Sequence, residues 1–142
     1  MHLLKSKFVL IFSSVVFLLF FYSCTSTSTK TKDPNFNTEI SVIQNDLNKI
    51  ITSEKVNISG KEITANEKIS SELEVSILNG KDIPADEYQM KALGRSIATI
   101  IKKALKNQNQ YDLIVVLFVI ESKNGDINKR EWKGFEYKPN EL

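Results

Sequence analysis

Between Glu72 and Leu78 apolar and polar residues alternate without a break, with Leu73, Val75 and Ile77 on one side and Glu72, Glu74 and Ser76 on the other. A period of two predicts a half-buried strand. Asn79-Gly80, two residues that tolerate positive φ, predicts its end. Leu113 to Ile120 (LIVVLFVI) is apolar on both sides and bounded by polar residues, which predicts a central strand. Asn124-Gly125 is a hairpin signal, so Lys129 to Lys138 becomes the returning strand. Gly134 marks a bulge there, bringing Trp132 and Phe135 to the same side. Residues Val56 to Ile69 keep no single period: Val56 and Ile58 alternate, Gly60 interrupts, and the segment reads as one short strand followed by a second.

Two segments carry the helical period instead. Phe36, Ile40, Ile43, Leu47 and Ile50 recur at spacings of four and three, which predicts a helix starting near Pro34 with Asp33 as its cap. Ala85 to Asn107 predicts a second helix, introduced by Pro84, with Asp86 and Glu87 in its first turn and Lys102, Lys103 and Lys106 near its C-terminal end. Met90, Leu93, Ile97, Ile100, Ile101, Ala104 and Leu105 form its buried face. Gly94 lies on that face in mid-helix, where glycine costs about 1 kcal/mol relative to alanine, and close approach to another backbone is the expected compensation. The order of elements predicts an α+β fold: two helices packed on a small, mainly antiparallel sheet of about four strands.

The N-terminal end has another pattern. Lys5 and Lys7 precede the apolar run Phe8 to Tyr22, and then come Ser23 and Cys24, the only cysteine of the chain. The run holds about 15 residues, short of the roughly 20 of a spanning helix. This resembles a bacterial lipoprotein signal, of the looser Ser-Cys kind met in Bacteroidota. The resemblance implies cleavage after Ser23 and a diacylglycerol thioether on Cys24, which anchors the mature chain to a membrane of the bacterial cell envelope, facing the periplasm or the surface. An uncleaved anchor and a plain secretory signal are the alternatives. Residues 1–23 are then the signal peptide. Residues 24–35, rich in Thr, Ser and Lys, are a flexible tether, and 36–142 form a single domain.

Lys5 and Lys7 are the only charged residues before Cys24, so 19 basic residues less these two leaves 17, against 17 acidic ones. A mature chain of zero formal charge gives no warrant for nucleic-acid binding. Its chemistry is narrow as well. The one histidine, His2, and the one cysteine are both spent in the N-terminal segment, which excludes Ser-His-Asp and Cys-His catalysis and the usual zinc sites. The glycines are dispersed, so no phosphate-cradling loop is present. Carboxylate catalysis needs only Asp and Glu; Glu72 and Glu74, about 7 Å apart on one strand face, are the pair that fits. We expect no enzyme, no cofactor and no metal.

What remains is a surface. If Leu113, Val115, Leu117 and Val119 face the helices, then Ile114, Val116, Phe118 and Ile120 point the other way. Either the first helix covers that second strip or it stays open as a docking face. Trp132, Phe135 and Tyr137 on the returning strand extend it. These seven residues are the expected site for an envelope protein partner, and Cys24 is the lipid attachment site. The alternative is a solute- or glycan-binding lipoprotein, which requires an enclosed pocket.

Overall fold

A computed structural model describes residues 27–124 and 127–142. The expected signal peptide with Cys24, and the hairpin turn expected at Gly125, lie outside the described residues. The chain runs through β1 (Thr27–Thr31), α1 (Ile40–Asn48), β2 (Lys55–Ala65), β3 (Lys68–Leu78), α2 (Glu87–Ala104), β4 (Leu113–Asn124) and β5 (Ile127–Tyr137), ending in a 3-10 turn, Pro139–Glu141. The strands form one sheet in the order β1-β2-β3-β4-β5, antiparallel except for the parallel pair β3 and β4. A parallel pair needs a crossover, and α2 provides it. The fold is therefore α+β, two helices on a five-stranded mixed sheet.

The additional strand is β1, which lies inside the stretch expected to be a tether. Thr27–Thr31 pairs residue by residue with Ala65–Lys61, and all five of its side chains are exposed. Such a strand needs main-chain partners rather than an apolar face, and the free edge of β2 supplies them. Lys32 N–H continues the pairing to the Gly60 carbonyl at 2.9 Å. From there the chain stays extended: Phe36 bridges to Leu105, Asn37 N–H donates to the Ala104 carbonyl and Lys106 N–H to the Asn35 carbonyl, each at 2.8 Å. Those bonds fix the backbone before Ile40, so α1 begins six residues after Pro34, where the sequence pattern had placed its start.

Both helices pack on one face of the sheet. Ile43 and Leu47 of α1 join Ile97, Ala98, Ile101 and Ala104 of α2 over Leu73, Val75 and Ile77 of β3 and Ile114, Val116 and Phe118 of β4. α2 starts at Glu87, two residues after the expected Ala85, with Asp86 as its cap rather than in its first turn, accepting a hydrogen bond from Gln89 N–H at 2.9 Å. β2 and β3 turn through Asn66 and Glu67, both at positive φ, and Asn79 (φ 48°) ends β3. The Asn79 side chain accepts from Glu121 N–H at 2.8 Å and donates to the Glu54 carboxylate at 2.6 Å, tying the segments before β2 and after β3 to strand β4.

Gly94 is close to a side chain, not to a backbone. A Cβ at this position would overlap the Tyr137 hydroxyl, which donates to the Lys91 carbonyl of α2 at 2.6 Å. Burial pushes the Tyr137 phenol up to about 12, against the opposing influence of Arg95, so it stays a neutral donor. Gly94→Ala is therefore expected to destabilise the purified protein by about 1–2 kcal/mol despite the better helix propensity of alanine. In a Tyr137→Phe background the hydroxyl is gone and the same change should be neutral or stabilising. Urea denaturation of the four proteins of this cycle checks it, and additive single effects would refute the contact.

Candidate functional site

The exposed feature of the fold is the sheet face opposite the helices. No described element covers it. Its apolar strand is β4, whose register with β3 places Val116 beside Val75 and Val115 beside Glu74. Val75 is buried under the helices, so Val116 is too, and Val115 looks outward. The open strip is therefore Leu113, Val115 and Leu117, all half-buried, together with the more enclosed Val119. It extends about 20 Å along the strand at roughly 3.3 Å per residue.

This reverses the parity expected from sequence. Ile114, Val116 and Phe118 lie in the core, as do Phe135 and Tyr137, so these five cannot serve as a docking surface in the folded chain. Ile120 and Trp132 are exposed, at 51% and 70%. They do not share a face: Ile120 continues the helix-side row of β4, whereas Trp132 pairs with Val119 on the open side. The first helix does not cover the second face either, since its buried residues join the same core as those of α2. β4 is apolar in both registers, so hydropathy along it carries no parity. The signal lay in β3, whose polar row fixes which face is open once the two strands are paired.

Gly134 has a different role from the bulge expected of it. The β4–β5 pairing runs unbroken from Ile114↔Tyr137 through Leu117↔Gly134 to Val119↔Trp132, so Trp132 and Phe135 point to opposite faces. A Cβ on Gly134 would lie 2.7 Å from Leu117 Cδ2. The missing side chain makes room for Leu117 to lie across β5, beside the Trp132 ring.

Acidic groups flank the strip. Val115 sits between Glu74 on β3 and Glu136 on β5, and neither carboxylate makes an ion pair among the described residues. Glu72, the other member of the carboxylate pair singled out by sequence, is held by Lys61 at 2.9 Å. The pair stands on an open face rather than in a cleft. Grooves lie elsewhere among the described residues. One of about 260 Å³ is lined by Ile83, Met90, Phe118, Ile120, Trp132 and Lys133; it is smaller than the roughly 300–1,000 Å³ of ligand pockets. Another of about 470 Å³, near Asn79, is lined by side chains of both charges, among them Glu54, Glu121, Lys129 and Arg130. Among the described residues no three His, Cys, Asp or Glu side chains group as metal ligands, and no helix is long and apolar enough to cross a membrane.

No protein-family model matches the chain, and neither does any curated protein or solved structure compared with it.

Proposed function

We propose that this protein is a lipid-anchored, non-enzymatic module of the bacterial cell envelope that docks on a partner protein through the open face of its sheet. The observation that carries the docking reading is the half-buried apolar strip Leu113, Val115 and Leu117 with no described element over it, since folded monomers rarely leave such apolar rows uncovered. Glu74 and Glu136 beside Val115 specify the partner further. A complementary surface has an apolar centre and basic residues at its rim, which the two carboxylates would meet as the interface loses water. The anchor rests on the Ser23-Cys24 signal.

The anchor is tested with Cys24→Ser. The variant is expected to take up no labelled fatty acid and to leave the membrane fraction, while the parent chain is labelled and sediments with membranes. A parent chain that takes up no label would contradict the lipoprotein reading. Docking is tested by crosslinking in intact cells with Val115→Lys, which should abolish a stoichiometric adduct that the parent chain forms.

A glycan-binding reading, through an open aromatic platform rather than the enclosed pocket that a buried ligand requires, is favoured by one observation, the exposed Trp132 ring beside Leu117. The two separate cleanly: glycan binding would be lost on Trp132→Ala, and protein docking on Val115→Lys.

A further inference from the structure

We propose that the β2–β3 hairpin end of the domain rests on the bilayer that holds the anchor, with Ile69 in contact with the lipid interface. The inference depends on the reading of Cys24 as the lipidated residue. It follows from where β1 begins. Thr27 is already paired with Ala65, so the chain from Cys24 to the sheet spans only three Cα steps, at most about 11 Å at 3.8 Å each. A tether reaching to residue 35 would let the domain turn freely; one that stops at Thr27 does not.

The pairing then fixes which end faces the lipid. β1 runs away from Cys24 and β2 returns toward it, so the turn at Asn66 and Glu67 lies on the side of the anchor. Ser28, Thr64 and Ile69 form one cross-strand row, one residue in from that end. Ile69 is 66% exposed, although Leu73, Val75 and Ile77 of the same strand row are fully buried. The helices stop short of it, and an uncovered isoleucine beside an acylated residue has a lipid surface within reach. Charges at this end, Lys30 and Lys68 against Glu62 and Glu67, balance. The contact is therefore apolar and should be insensitive to salt. The opposite end of the sheet, about 30 Å away at roughly 3.3 Å per residue from Ile69 to Leu78, points from the membrane.

A polarity-sensitive fluorophore on Ile69→Cys, and separately on Ile120→Cys at the far end, tests this in the full lipidated chain. The protein is reconstituted in phosphatidylethanolamine–phosphatidylglycerol vesicles carrying a headgroup-located quencher lipid. Lys68→Cys, on an exposed residue, is a second near-end site should the first variant not fold. The expected result is strong quenching at the near end, unchanged by salt, and at least several-fold weaker quenching at residue 120. Equal quenching at both ends, or stronger quenching at 120, in a chain that carries its lipid would overturn the orientation and leave the anchor standing. A chain without lipid would overturn both.

Discussion

Phe118→Asp is expected to unfold the domain. Phe118 is 3% exposed and meets Phe135 edge-on at 6.3 Å between ring centroids, under the helices. Truncating a buried phenylalanine costs about 3–5 kcal/mol by itself. A carboxylate left there without a partner adds several more, or must take up a proton to remain buried. Together these approach the whole stability of a small domain, about 5–15 kcal/mol. The neighbouring open-face position behaves otherwise. Val115→Lys places an ammonium between Glu74 and Glu136, and opposite charges across strands offset most of the lost β propensity, leaving a change of about 1 kcal/mol or less. Circular dichroism melts of the purified variants check both. A folded Phe118→Asp protein, or an unfolded Val115→Lys one, would contradict the parity of β4.

Gly60→Ala is expected to cost about 2–4 kcal/mol. Its Cβ would overlap the Lys32 carbonyl oxygen and the Tyr111 hydroxyl, and would lie 2.8 Å from Tyr111 Cε1. Neither neighbour can give easily. Lys32 is held to Gly60 by its own N–H, and the Tyr111 hydroxyl donates to the Lys32 carbonyl at 2.6 Å. Burial, helped by Asp33, pushes the Tyr111 phenol up to about 12, which keeps that donor protonated. Relieving the clash therefore breaks the hydrogen bond, leaves a buried hydroxyl unpaired, and pulls the chain away from β2 where β1 ends. Urea denaturation should show the loss, and hydrogen exchange should show β1 losing protection first. A change below about 0.5 kcal/mol would mean that the crossing of residue 32 over Gly60 is not tight.

Much of this architecture was legible in the sequence. The alternation of Leu73, Val75 and Ile77 gave a strand with its buried row correctly named, Asp86 and Glu87 gave the start of α2, and Asn79 gave the end of β3. The failures have particular causes. β1 consists of Thr, Ser and Lys side chains that bury nothing; it exists through main-chain bonds to an edge that side-chain patterns do not describe. α1 begins late because Asn35 and Asn37 are already bonded to the end of α2, a contact between residues far apart in the chain. The candidate site failed on a single bit of information. LIVVLFVI is equally apolar in both registers, and a one-residue slip exchanges every side chain between the faces. That bit is set by the pairing of Val116 with Val75, which no local pattern carries.

The most direct test of the account is thiol labelling of Leu117→Cys. On the proposed lipidation of Cys24, the only cysteine of the chain, the introduced cysteine is the one thiol left to react. It should be protected from a maleimide in intact cells and become reactive once the protein is purified. Tyr88→Cys, replacing a side chain 82% exposed on α2, should react in both settings, and Val116→Cys, in the core, in neither. That pattern would mean that something in the envelope covers the open face. If Leu117→Cys reacts as readily in cells as Tyr88→Cys does, the face is uncovered there and the docking function is wrong.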